Sequence, residues 1–179
     1  METERLLLQE LTLDDIGNLH SKNSIKEVAE FNTIGIPKNI EKTAEIYSSI
    51  LADRTNKVRS MYTWVIKLKG SNTFIGEIGL YLAPKRFRMG EIHYSLLPNY
   101  WGNGFARESV KKVIMYSFDE LKLHRIEAGV ATENLKSIKL LEGLGMTNEG
   151  IRRKILPIRG EWKDNYHFAI LDEDWLHNN

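Results

Sequence analysis

Apolar and polar positions change their period several times along the chain, and each change marks an element. Arg5 to Leu11 is rich in leucine and poor in turn chemistry, which predicts a first strand. Thr12, with Asp14 and Asp15 directly after it, starts a helix that runs to about Ser21, the acids sitting where the helix dipole favours them. Ile34 to Asn39 contains Gly35 and Pro37 and is expected to be a loop. Ile40 to Asp53 then places Ile40, Ala44, Tyr47, Ile50 and Leu51 on one face of a second helix. From Met61 the period shortens. Met61 to Leu68 and Thr73 to Leu82 predict a hairpin around Lys69 to Asn72, and Gly90 to Leu97 a further strand ended by Pro98. Phe105 to Leu121 carries Ala106, Val110, Val113, Ile114, Phe118 and Leu121 at helical spacing. His124 to Val130 predicts a strand, and Leu135 to Leu144 a short helix stopped by Gly145. Ile151 to Ile158 and Glu161 to Leu171 form a last hairpin around Arg159-Gly160. The sum is a mixed α/β (α+β) domain: a mostly antiparallel twisted sheet of about seven strands, with one strand–helix–strand crossover, flanked by about four helices.

Composition narrows the function classes. The 179 residues suit one domain over 1–179, and 42% hydrophobic with 27% charged residues is ordinary for a folded globular protein. A formal net charge of +1 supplies no field for nucleic acid or an anionic membrane. The basic pieces Lys85-Arg86-Phe87-Arg88 and Arg152-Arg153-Lys154 read as solvated loop and hairpin charges. With no cysteine, disulfides, thiolate nucleophiles and cysteine-bound zinc are excluded, and a cytoplasmic protein is expected. The N-terminus has no secretory pattern, and no run approaches the roughly 20 apolar residues of a membrane span. Histidines at 20, 93, 124, 167 and 177 lack metal-binding spacing, so no metal is expected.

The most informative segment is Ser95-Leu-Leu-Pro-Asn-Tyr-Trp-Gly-Asn-Gly-Phe-Ala-Arg-Glu, which joins a strand to the longest helix. Gly102 and Gly104 permit a tight turn with no Cβ in a ligand's way, and the helix start at Phe105 offers free N–H groups. Together they suit a diphosphate, although two glycines would also serve a plain turn. A dinucleotide fingerprint would need a glycine where Arg107 stands, and the Gly-Lys-Ser/Thr of a P-loop is missing.

Trp101-Gly102-Asn103-Gly104-Phe105-Ala106 resembles the Gln/Arg-x-x-Gly-x-Gly/Ala signature of the GNAT superfamily of acetyltransferases. Trp101 at the Gln/Arg position is usual in a branch that resembles the ribosomal-protein-alanine N-terminal acetyltransferases. The likeness extends through Thr3-Glu-Arg-Leu-Leu-Leu, Gly76-Glu-Ile-Gly, Leu123-His-Arg-Ile-Glu-Ala, Glu133-Asn-Leu-Lys-Ser-Ile, Leu144-Gly-Met and Gly160-Glu-Trp-Lys-Asp. It implies acetyl-CoA as cosubstrate, with backbone groups of Tyr94, Ser95 and Leu96 pairing with the pantetheine arm. A bulge in the fourth strand would open that edge. The resemblance further implies that amides of Gly102, Asn103, Gly104, Phe105, Ala106 and Arg107 hold the pyrophosphate. Arg107, Lys111 or Lys112 would meet the 3′-phosphate unless they only solvate the helix.

Asn134 has two roles open to it, capping a helix and bonding the pantetheine region. Ser137, three residues on, is placed by the resemblance near the coenzyme sulfur as proton donor. The tyrosine common in the wider family at this helix is Leu141 here, so the acid is Ser137 or a water. An attacking amine must lose a proton. Glu91 is the leading base, His93 shares its face at i+2, and Glu127 is a further carboxylate, while the commonest fifth-strand glutamate position holds Gly129. His124 reads as an anchor of the fifth strand, and Tyr100, Trp101, Trp162 and Trp175 as core or groove aromatics. The acceptor is a primary amine, a small molecule or a protein N-terminus, with Lys22 to Ile50 lining its site. Glu27 and Glu30 there would attract a cation or only solvate the surface. The resemblance also implies a homodimer. From a different class, a non-catalytic acyl-CoA sensor would bind without turnover, and a nucleotide-binding domain would take ATP or NAD instead.

Overall fold

The computed structural model describes residues 1–178, with side chains through Trp175, so His177 lies outside the described side chains. The elements run β1 (Leu6–Glu10), α1 (Ile16–Asn23), α2 (Ile40–Asp53), β2 (Met61–Leu68), β3 (Phe74–Leu82), β4 (Met89–Leu96), α3 (Phe105–Asp119), β5 (Arg125–Ala131), α4 (Leu135–Gly143), β6 (Thr147–Ile158), β7 (Glu161–Leu171) and α5 (Asp172–Asn178). All seven strands form one sheet in the order β1-β2-β3-β4-β5-β7-β6. Only β4 and β5 are parallel neighbours, joined by the crossover through α3. The fold class and the chain order of the first eleven elements are as the periodicity predicts. The last element, α5, is additional, with Asp172, Glu173 and Asp174 in its first turn.

Alternation along the strands divides the core. Trp64 and Ile66 of β2, Ile78 and Leu80 of β3, Ile92 and Leu96 of β4 and Ile126 and Ala128 of β5 pack with Val110, Val113 and Ile114 of α3 and Leu141 of α4. The opposite face carries a smaller cluster in which Leu19 of α1 and Tyr47 and Ile50 of α2 cover Val65. Local chemistry fixes the ends of these elements. Asp15 Oδ2 accepts from the N–H and hydroxyl of Thr12 at 3.0 and 2.9 Å. Asn39 Oδ1 caps α2 by accepting from Lys42 N–H at 3.0 Å. Trp175 is buried against the larger cluster as expected, whereas Trp162 is 58% exposed on the β6–β7 hairpin and lies outside the core. His124 takes its anchoring place: its Nδ1 lies 2.9 Å from Asp172 and its N–H donates to Arg88 O at 2.6 Å. Among the described residues, no helix is long and apolar enough to cross a membrane.

Candidate active site

Strands β4 and β5 pair only at Met89↔Arg125, Gly90↔Ile126 and Glu91↔Glu127. Beyond Glu91 they part. β4 stays with β3 up to Leu96↔Gly76, and β5 stays with β7 up to Ala131↔Asn165. The edge of His93 to Leu96 is thereby left facing β5 without a strand partner, which is what an extended ligand needs. The expected bulge is absent. β3 and β4 pair without a register shift, and the shifts fall in β2 and β6. The gap therefore comes from β5 turning away with β7 rather than from an extra residue in β4.

The glycine turn closes one end of this gap. Gly102 and Gly104 both adopt left-handed backbone, at φ 77° and 79°, and a Cβ on Gly102 would meet nothing within 4 Å. The first intrahelical bond of α3 is from Glu108 N–H to Gly104 O, 3.0 Å, so the N–H groups of Phe105, Ala106 and Arg107 remain for another acceptor. Trp101 Nε1 donates to Leu96 O at 2.8 Å and ties the turn to the end of β4. Asn103 Nδ2 in turn donates to Trp101 O at 3.1 Å. The chain's start braces the same turn. Arg5 donates to Asn103 O at 3.1 Å and to Glu108 Oε2 at 2.7 Å, and its guanidinium stacks 4.6 Å over the Phe105 ring. Burial disfavours the Glu108 carboxylate, but the Thr3 hydroxyl and the N–H and guanidinium of Arg5 outweigh it and hold Glu108 below its ordinary range. The Arg107 side chain points elsewhere and donates to Gly143 O at 2.6 Å, leaving its backbone N–H as its contribution to the turn. Lys111 sits 5.8 Å from the Trp175 ring.

Across the gap, Asn134 caps α4 by accepting from Ser137 N–H at 3.2 Å. The phenol of Tyr94 is buried without a hydrogen-bond partner, and burial pushes it up to about 12, with the neighbouring Ser137 hydroxyl acting in the opposite sense. Ser137 thus faces the β4 segment assigned to the pantetheine arm. Leu141 is fully buried in the core.

The other face of the gap is polar. Glu91 is exposed there, and Tyr81, its partner on β3, stacks on His93 at 4.7 Å between ring centroids. Glu127 is not a free base, since Arg125 Nε donates to it at 2.7 Å and His167 Nε2 lies 3.3 Å away. Gly129 sits beneath Asn165, whose Oδ1 accepts from Val130 N–H. Glu27 and Glu30 are exposed. Sequence reasoning missed the centre of this face. Lys22 of α1, 1% exposed, bonds Glu77 Oε1 of β3 at 2.7 Å, and Tyr47 of α2 donates to the same oxygen at 2.8 Å. The one signal was an acid inside the apolar run Phe74 to Leu82.

The acetyltransferase (GNAT) domain model matches residues 5–147. The chain is 32% identical over 171 residues to the uncharacterized N-acetyltransferase YoaA of Bacillus subtilis, covering 96% of both chains. It is 31% identical over 100 residues, 56% of this chain, to the putative ribosomal N-acetyltransferase YdaF of the same organism, of which 55% is covered. Among solved structures, a GNAT-family acetyltransferase from Bacillus anthracis superposes with a TM-score of 0.83 at 29% identity, covering 97% of this chain and 98% of that one. Spermidine N-acetyltransferase from Vibrio cholerae, in complex with CoA and spermine, gives 0.84 at 26% identity, with 97% and 99% covered.

Proposed function

Because the chain belongs to the GNAT family and is an acetyl-CoA-dependent acetyltransferase, we propose that it moves the acetyl group to a small-molecule primary amine by direct attack in a ternary complex. The observation that carries this is the parting of β4 from β5 beside the left-handed glycine turn. One end offers unpaired strand edge, the other unpaired N–H groups, with a polar face open between them. Acetyl-CoA supplies the acyl group as a thioester. Tyr94, Ser95 and Leu96 pair with the pantetheine arm, and the amides of Gly102 to Arg107 take the pyrophosphate. Asn134 orients α4 so that Ser137, or a water beside it, returns a proton to the departing sulfur. A backbone N–H near Leu96 meets the negative charge that develops on the carbonyl oxygen. Glu91 draws the cationic amine to the polar face and takes its proton to solvent, directly or through an intervening group.

The Vibrio cholerae relative crystallised with spermine supports a small-molecule amine as acceptor. The likeness to YdaF supports a second reading, a protein N-terminus. A single domain over the chain, a cytoplasmic location and a homodimer complete the proposal. Calorimetric titration with acetyl-CoA, CoA, ATP and NAD, then thiol release over polyamines, amino sugars, amino acids and N-terminal peptides, tests it. Binding of acetyl-CoA with thiol release on a small amine is the expected result. Release on peptides alone selects the second reading, and binding without release on any amine turns the protein into an acyl-CoA sensor.

Two substitutions probe the parts. Ser137→Ala is expected to lower kcat by roughly 100-fold, in the range of general acid–base catalysis, with the KM for acetyl-CoA unchanged. Arg5→Ala should do the reverse. A bond from a charged donor is worth about 1.5–3 kcal/mol, and less at a half-exposed site, so KM for acetyl-CoA should rise roughly fivefold with kcat retained. Steady-state kinetics in acetyl-CoA separates the two.

A further inference from the structure

Thr63, Gly79 and His93 form one row across β2, β3 and β4, through the pairs Thr63↔Gly79 and Gly79↔His93. Directly paired residues project to the same face, and Glu77, two positions along β3, shares it. Gly79 has no side chain, and the His93 ring occupies the space above it: a Cβ there would stand 2.1 Å from Cε1 and 2.3 Å from Nε2. Around this glycine three buried polar atoms have no partner, namely Thr63 Oγ1, Glu77 Oε2 and His93 Nδ1. Buried polar atoms are almost always paired, and a buried water typically makes two to four bonds. One water satisfies the whole row if it accepts from His93 Nδ1–H and donates to Glu77 Oε2 and Thr63 Oγ1. That arrangement puts the ring's hydrogen on Nδ1 and its lone pair on Nε2.

We propose that His93 is the immediate acceptor of the amine's proton, and that Glu77, clamped by Lys22 and Tyr47, is the positioning residue that fixes its ring. This rests on the acetyltransferase reading above and supplies the intervening group between amine and Glu91. The location fits. Glu91 is the last β4 residue paired with β5, and His93 is the next one on the polar face, its backbone beside the gap and its ring leaning over Gly79 of β3. Nε2 first takes a proton from the bound ammonium, which frees the nitrogen lone pair, and as the N–C bond then forms the nitrogen's second proton passes to solvent. The C–S pair leaves on sulfur, which takes a proton relayed from solvent through Ser137 or a water. His93 then passes its proton to solvent on the side of exposed Glu91.

The charged and titratable groups facing the ring are Glu77 and Tyr81 from β3 and Lys22 from α1, with Tyr47 of α2 behind Glu77 and Glu91 on β4 itself. Across the gap, Glu127 of β5 is tied to Arg125 and His167. Burial lowers the imidazole most, Glu77 opposes it and Lys22 adds to it, so the ring is held below its ordinary value and is neutral at neutral pH.

The test joins kinetics to ring-nitrogen NMR, with His93→Gln identifying the His93 signal. In the wild type the signal should show the lone pair on Nε2 at neutral pH. His93→Gln should lower kcat by about 100-fold with the Kd for acetyl-CoA unchanged. In Lys22→Met/Glu77→Leu the buried pair is replaced by apolar groups, so the protein should fold. Its His93 signal should lose that fixed tautomer. The acidic limb of its kcat/KM profile should move to lower pH, because Glu77 raises the ring more than Lys22 lowers it. The proposal is overturned if His93→Gln keeps more than half of kcat, if the wild-type ring carries its hydrogen on Nε2, or if the double variant changes neither spectrum nor profile. Should His93→Gln fail to fold, His93→Asn identifies the signal in its place and carries the same kinetic comparison. A wild type without amine-dependent thiol release overturns the acetyltransferase reading and the base with it, while the spectrum still decides the coupling of Glu77 to His93.

Discussion

Lys22→Met is expected to destabilise the protein by about 3–5 kcal/mol, because it strands a buried carboxylate. The side chains of Lys22 and Glu77 are 1% and 8% exposed, and the pair is closed by a 2.7 Å bond. Burial alone would raise the Glu77 carboxyl. The Lys22 ammonium and the Tyr47 hydroxyl outweigh burial and leave it below its ordinary range. Without Lys22 the glutamate must either stay charged in an apolar layer or take up a proton as the chain folds. At roughly 2–4 °C per kcal/mol for a domain of this size, the melting temperature should fall by about 10 °C. Adding Glu77→Leu should restore most of it, since an apolar pair of similar volume carries no desolvation cost. Recovery should be incomplete, because the Tyr47 hydroxyl keeps its bond from Asn23 at 3.1 Å but loses the carboxylate to which it donates. The pH dependence has a definite sign. A carboxylate whose folded value is lowered contributes stability above its unfolded value and loses it as the pH falls through the folded one. Wild type should therefore lose stability on acidification below the ordinary carboxylate range more steeply than the double variant. Thermal melts of the three proteins across that range check both points. A single variant as stable as wild type would mean that the pair does not hold α1 to the sheet.

That the pair went unseen in the sequence has a physical reason. Lys22 follows His20 and Ser21 at the end of a helix, where a lysine ordinarily reaches water, and nothing local says that α2 will close over it. Glu77 lies fifty-five residues away, and the bond exists only once β3 is the third strand of the sheet. Arg5 is the same case, with a partner at Glu108 over a hundred residues on. What was legible was local: the helical stripe of α3, the hairpin at Lys69 to Asn72, and the glycines whose left-handed backbone the turn requires. The parting of β4 from β5 is intermediate. The resemblance implied the gap, but its expected cause, a bulge in β4, is replaced by β5 following β7, a tertiary choice that no local pattern encodes.

The glycine turn supports the second large effect. In Gly102→Ala/Gly104→Ala, acetyl-CoA affinity is expected to fall by about 100-fold or more, while the fold survives. Space is not the main obstacle: a Cβ at Gly102 meets nothing within 4 Å, and one at Gly104, 3.3 Å from the Arg5 guanidinium, needs only that flexible side-chain end to give slightly. The difficulty is the backbone. Left-handed conformation costs a residue with a Cβ roughly 1–2 kcal/mol. An exposed turn can relieve that by flipping its peptides, and the flip swings the N–H groups away from the diphosphate they are proposed to hold. Two such positions together supply about 2–4 kcal/mol, or roughly 30- to 1,000-fold in Kd. The loss should depend on which part of the ligand is present. S-acetyl-pantetheine keeps the thioester and the arm proposed to lie along Tyr94 to Leu96 but has no pyrophosphate, so its turnover should be unchanged. Calorimetry with acetyl-CoA and thiol release with S-acetyl-pantetheine, both on wild type and the double variant, separate the contributions. An equal loss on both ligands would show that the turn shapes the whole gap rather than binding the diphosphate. No loss on either would remove the pyrophosphate from Gly102 to Arg107 altogether.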